Sequence, residues 1–155
     1  YIVMFQVRGL AERRLAAKDF AYVDTLWQRW SPGWDYDKSL TRAVRHRFAE
    51  PGALAAVLSY YRQGADGKTA QGKLARQLSQ QPVPVPTLAL HGERDGCIDP
   101  AGFRQSLVPA DFQAGLEIET LKDCGHFLHR EQPELTNRLL LDWLGRHPIE
   151  GGNLA

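Results

Sequence analysis

Two short apolar runs, each closed by a glycine and followed by a chemically useful residue, constrain this chain more than any other feature. The first is Pro-Thr-Leu-Ala-Leu-His-Gly-Glu-Arg-Asp, residues 86–95, and the second is Leu-Glu-Ile-Glu-Thr-Leu-Lys-Asp-Cys-Gly-His-Phe, residues 116–127. Thr87 to Leu90 is apolar and bounded by Pro86 and His91-Gly92, the pattern of a buried strand. Leu116, Ile118 and Thr120 alternate with Glu117, Glu119 and Leu121, an imperfect period of two that suits a second strand. Asp95 follows the first glycine by three residues, and His126 follows Gly125 at once. An acid and a histidine are therefore expected just past the C-terminal ends of two parallel strands, the edge at which open α/β sheets bind ligands. A carboxylate that orients an imidazole is two thirds of a nucleophilic triad.

With 155 residues the chain can hold a sizeable core. Its hydrophobic share of 43% and charged share of 24% are ordinary for a globular protein. The net charge of +1 gives no reason to expect nucleic acid or a membrane surface as partner. No apolar run approaches the roughly 18 residues of a membrane span, and no signal peptide is visible. The expected location is cytoplasmic. Cys97 and Cys124 lack metal-ligand spacing. Two reduced thiols are the simpler expectation, and a disulfide across the top of the sheet is the alternative.

Before residue 64 the pattern is helical. Asp19 can cap a helix over Phe20–Trp30, with Phe20, Val23, Trp27 and Trp30 at helical spacing and Ser31-Pro32-Gly33 as its stop. Asp37 or Ser39 can cap the next, which runs to about Ala49. Pro51 suits the first turn of a helix over Gly52–Gln63 that Gly64 ends; Leu54, Val57, Leu58 and Tyr61 line one face of it. The apolar start, Tyr1 to Phe5, has no cap before it and is expected to be the middle of a longer polypeptide. Residues 65–85 are rich in Gly, Gln, Lys and Pro, with a short helix near Lys73–Leu78 and an extended Val83–Pro86. After them the order is strand, helix, strand, helix. Asp99-Pro100 opens a short helix to Leu107, and Glu131–Arg146 closes the fold with an apolar stripe of Leu135, Leu139, Leu140, Trp143 and Leu144. The tail from Glu150 to Ala155 is expected to fray.

The motifs Val-Pro-Thr-Leu-Ala-Leu-His-Gly-Glu-Arg-Asp, Gly-Cys-Ile-Asp-Pro and Asp-Cys-Gly-His-Phe-Leu-His-Arg-Glu-Gln-Pro-Glu resemble the C-terminal part of the α/β-hydrolase family. The helical segment, through Tyr-Ile-Val-Met-Phe-Gln-Val-Arg-Gly-Leu-Ala-Glu and Leu-Ser-Tyr-Tyr-Arg, is similar to the cap of epoxide-hydrolase-like members, which often carry Pro where Arg8 stands. The resemblance implies an α/β fold in which residues 1–64 form a helical cap, 65–85 a linker and 86–155 the last part of a parallel-sheet core. It implies Asp95 as the acid and His126 as the base, in the family's chain order. Asp99 competes for the acid's role but suits a turn and cap better. His91 and His129 are expected to be structural or exposed, and Glu93 solvated.

In epoxide hydrolases two cap tyrosines donate hydrogen bonds to the epoxide oxygen, stabilising charge as it develops. The resemblance puts these on Tyr61 and Tyr1, with Tyr60 as substitute if the helix is rotated; a plain core role for Tyr61 is the other reading. Trp27, Trp30 and Trp34 either line an apolar pocket or pack within the cap. No Gly-x-Ser-x-Gly elbow or variant occurs in the chain, so the nucleophile is expected outside it, and the chain alone is expected to be inactive. The implied activity is epoxide hydrolysis on a small apolar organic substrate, with no cofactor and no metal. A serine esterase, lactonase or carbon–carbon hydrolase is the alternative, and a non-catalytic binding module a third. The expected partner is the protein's own N-terminal half or a second copy, because the Thr87–His91 strand would lack a neighbour on one side.

Overall fold

The computed structural model describes residues 1–65 and 67–148. Its contacts divide the chain into two units. One holds Tyr1–Gln28 and Asp35–Gln81; the other holds Arg29–Trp34 and the chain from Pro82 onward.

The first unit is helical: α1 (Ile2–Gln6), α2 (Leu10–Phe20), most of α3 (Tyr22–Trp30), α4 (Lys38–Phe48), α5 (Ala53–Ala65) and α6 (Ala70–Leu78). Phe5, Ala11, Leu15 and Leu58 form its buried cluster, with Met4, Tyr22, Leu54 and Tyr61 packed against it. The apolar start, Tyr1 to Phe5, falls almost wholly in α1, and α2 follows it, ending at Phe20, the expected start of the helix over Phe20–Trp30. Gly9, at φ 78°, turns the chain between α1 and α2, and the Glu12 carboxylate accepts the Gly9 N–H at 2.6 Å, a local cap that needs no Ser or Thr.

Asp19 caps nothing. It lies inside the span of α2 at φ 54°, where the backbone leaves helical geometry. Its carbonyl and carboxylate both accept from Arg45, each at 2.6 Å. Asp37 does cap α4, through the Ser39 N–H at 2.8 Å. Pro51 precedes α5 instead of opening it, because Gly52 stands at φ 83°.

The second unit is built on β1 (Thr87–Gly92) and β2 (Leu116–Leu121), parallel and in register from Thr87 opposite Leu116 to Gly92 opposite Leu121. Val83 extends the pairing by a bridge to Phe112. Between the strands lie α7 (Pro100–Ser106) and a 3₁₀ turn over Pro109–Asp111. Asp99 caps α7 through the Gly102 N–H at 2.7 Å. After β2 come α8 (Leu128–Glu131) and α9 (Pro133–Arg146). The expected single closing helix is divided at Gln132, and Pro133 takes the first-turn position of α9.

Thr87 to Leu90 are half-buried, less than a central strand demands, and Leu140 and Leu144 of α9 are exposed. Residues 149–155 lie outside the described residues, so the expected fraying of Glu150–Ala155 does too. Among the described residues no helix is long and apolar enough to cross a membrane.

Candidate active site

β1 ends where a side chain would not fit. A Cβ on Gly92 would lie 2.0 Å from the carbonyl oxygen of Gly125, four residues past the end of β2, so the end of β1 and the loop after β2 touch through main chain alone. The Gly92 turn is closed by the Asp95 N–H on the Gly92 carbonyl at 3.2 Å, and the Arg94 N–H reaches the Cys124 carbonyl at 2.8 Å. This places the Asp95 and His126 side chains together past the strand ends, and His126 Nδ1 is 2.9 Å from Asp95 Oδ2.

Asp95 is 8% exposed. Its Oδ1 accepts the backbone N–H groups of Cys97 at 2.7 Å and Ile98 at 3.0 Å. These two bonds fix the carboxylate's orientation and leave Oδ2 for the imidazole. An ionised carboxylate only accepts, so Nδ1 carries the ring proton and Nε2 keeps its lone pair. The His126 side chain is 28% exposed, so the imidazole is partly open to solvent while its partner is shielded. That arrangement holds an imidazole in one tautomer and stabilises the imidazolium it becomes on taking a proton.

The segment 29–34 belongs to the same unit and is part of the site. The Trp30 carbonyl accepts both the Gly96 N–H, at 3.0 Å, and the His126 N–H, at 3.1 Å. One oxygen thus joins the loop of the acid to the loop of the base. The Trp30 ring meets the imidazole edge-on, with centroids 5.2 Å apart, and Trp34 packs on Phe127. Trp27 instead packs on Tyr36 in the first unit. The three tryptophans, expected together either at a pocket or within the cap, fall in different units: Trp27 in the first, Trp30 and Trp34 in the second.

His91 is buried beside the pair. Its Nε2 lies 3.9 Å from Asp95 Oδ2, and its ring stacks on Phe103 at 4.5 Å. His129 and Glu93 are exposed, and Glu93 accepts the Asp123 N–H at 3.2 Å. Cys97 and Cys124 are both thiols. Cys124 is fully buried, and burial together with the charge of Glu131 pushes its thiol up to about 11.

One oxygen of Asp95, the Cys97 sulfur and one ring nitrogen of His126 lie within 4.8 Å of one another. The chemistry of this trio would suit a soft divalent cation, but both Asp95 oxygens are already engaged by N–H groups. Asp99, the competing acid, is occupied as the cap of α7.

In the first unit Tyr61 packs on Phe5 at 5.0 Å and meets Tyr1 edge-on at 5.9 Å. Tyr60 is 78% exposed. The structure thus brings Asp95 and His126 together, and separately Tyr61 and Tyr1. Sequence reasoning missed Ser31 and Glu131. The Ser31 hydroxyl donates to Glu131 at 2.7 Å and accepts the His126 N–H at 3.0 Å. The Glu-Gln-Pro-Glu run after His126 was the available signal for Glu131; nothing local marks Ser31.

No family model matches the chain. Over 141 residues, 86% of its length, it is 30% identical to epoxide hydrolase 3 of Mus musculus. Its fold matches that of the Cif epoxide hydrolase from Acinetobacter nosocomialis with a TM-score of 0.68 at 18% identity, covering 92% of this chain and 44% of that one. It also matches the DbeA-M1 loop variant of a haloalkane dehalogenase from Bradyrhizobium elkanii with a TM-score of 0.69 at 18% identity, covering 94% and 48%. The chain spans between 34% and 38% of the length of the curated relatives it matches. Parallel strands carrying an Asp–His pair past their ends agree with these similarities: the chain has the fold of a C-terminal part of α/β-hydrolases and is similar in sequence to epoxide hydrolases.

Proposed function

We propose that the protein is an epoxide hydrolase in which His126, oriented by Asp95, activates the hydrolytic water. The 2.9 Å contact between His126 Nδ1 and the shielded Asp95 carboxylate carries this reading, and the similarity to epoxide hydrolase 3 supports its chemistry. An Asp nucleophile outside this chain opens the epoxide of a small apolar organic substrate and forms an ester. Water then attacks the ester carbonyl as His126 Nε2 takes its proton, and Asp95 stabilises the imidazolium. Neither step calls for a cofactor or metal.

Residues 1–64 act as the cap, 65–85 as linker and 86–155 as the last part of the core. Tyr61 and Tyr1 are the candidate donors to the opening epoxide oxygen, on the family resemblance. The half-buried β1 and the exposed Leu140 and Leu144 support a partner surface, completed by the protein's own N-terminal half or by a second copy. A cytoplasmic location completes the proposal.

The same pair would serve a Ser nucleophile acting on esters or lactones, and one experiment separates the two. In the full-length protein, His126→Ala should accumulate an alkyl-enzyme ester on exposure to an epoxide, visible by mass spectrometry, because opening does not need the histidine and hydrolysis does. A Ser nucleophile would leave no adduct, and unchanged turnover would remove His126 from the mechanism.

A further inference from the structure

The loop carrying His126 is held by one group close in sequence, Glu131, and one distant from it, Ser31. Glu131 Oε2 accepts the Gly125 N–H at 2.8 Å, and Oε1 accepts the Phe127 N–H at 3.0 Å. Oε1 also accepts the Ser31 hydroxyl at 2.7 Å. With its proton committed there, the Ser31 oxygen presents lone pairs to the loop and accepts the His126 N–H at 3.0 Å. The N–H groups of Gly125, His126 and Phe127 all meet this carboxylate–hydroxyl pair, the His126 N–H being shared with the Trp30 carbonyl at 3.1 Å. Ser31 is 1% exposed, so its hydroxyl is shielded from competing water, and Glu131 is half-buried. A Cβ on Gly125 would lie 2.5 Å from Ser31 Cα, so the two segments meet without slack.

The arrangement has a chemical direction. A carboxylate has only acceptor sites, and here both oxygens face donors. It therefore forces the Ser31 hydroxyl to donate to it and accept from the loop. A neutral amide at 131 would turn an N–H₂ toward one of those donors.

We propose that Ser31 and Glu131 are positioning residues for His126. They fix the main chain on either side of the imidazole so that Nε2 faces the hydrolytic water while Nδ1 stays on Asp95. This rests on the reading of His126 as the hydrolytic base. It adds that the base's geometry depends on the Ser31–Glu131 pair, one member of which lies 95 residues upstream of the histidine.

The test uses the full-length protein and a chromogenic epoxide, with Ser31→Ala, Glu131→Gln and His126→Ala side by side. Single-turnover kinetics separates ester formation from ester decay. Each positioning variant should form the ester at the wild-type rate and decompose it more slowly, by up to roughly 100-fold, the cost of a misplacement of about 1 Å. In the steady state kcat and KM should then fall together with kcat/KM preserved, which a mere loss of folded protein would not produce. The decay constant is read only from molecules that formed ester, so partial unfolding lowers its amplitude and not its value. Wild-type decay constants in both variants, with His126→Ala blocked, would overturn the proposal and leave the functional reading standing. So would failure of both variants to fold, which would assign the pair to holding the fold. Normal turnover in His126→Ala would remove the functional reading and this proposal with it.

Discussion

Replacing Gly96 by alanine tests whether the segment 29–34 is part of the site. A Cβ at residue 96 would lie 2.0 Å from the Arg29 carbonyl oxygen and 3.1 Å from its carbon. Carbon contacts settle near 3.5 Å, so the two main chains must part by about 1.5 Å. The obstacle is backbone, and no rotamer change relieves it. Overpacking of this kind costs about 1–3 kcal/mol. Separation also breaks the bond from the Gly96 N–H to the Trp30 carbonyl, 3.0 Å long, which adds about 1 kcal/mol. The expected loss is therefore about 2–4 kcal/mol, seen as a lower denaturant midpoint at unchanged slope. Residue 97 supplies an N–H to Asp95 Oδ1, so the same shift disturbs the acid and should lower turnover about 100-fold. A loss below about 0.5 kcal/mol, the scale of a neutral surface substitution, with full activity, would refute the reasoning.

Arg62, with the backbone around Gly9, holds Glu12 down at about 2 from an ordinary 4.5. A carboxylate with a depressed folded value stabilises fully above its unfolded value and loses that contribution as pH falls, so Glu12→Gln should flatten the acid-denaturation profile between pH 4.5 and about 2; parallel profiles would contradict this. Iodoacetamide near pH 8 should label half-buried Cys97 well before Cys124, whose buried thiol is pushed up to about 11, and peptide mass mapping showing equal rates would contradict that burial.

The strands and the pair of titratable groups were legible because their signals are local. Gly92 and Gly125 end apolar runs, and Asp95 and His126 stand at short fixed distances beyond them. The Asp37 and Asp99 caps were legible for the same reason: a side chain meets an N–H a few residues on. Asp19 misled because its carboxylate is claimed by Arg45, a partner 26 residues away. The α2 helix escaped because Glu12 and Gly9 make an unusual cap. Glu131 stands within six residues of the N–H groups it accepts and was signalled by its Glu-Gln-Pro-Glu run, whereas the Ser31 contact and the Trp30 carbonyl bonds were not legible because they join segments far apart in the chain. His91 presents the same difficulty: one residue in a strand motif, its relation to Asp95 emerges only when the loop folds back over the strand end.

The central claim is that Asp95 and His126 act as one hydrolytic unit. A double-substitution cycle in the full-length protein tests it most directly, with ester hydrolysis as the measured rate and Asp95→Ala, His126→Ala and the double variant compared. Residues that act as a unit are non-additive. The account predicts that the double variant is no slower than His126→Ala alone, because an orienting carboxylate has nothing to orient once the imidazole is gone. Losses that multiply would mean the two groups act independently, and the 2.9 Å contact would then carry no catalytic meaning.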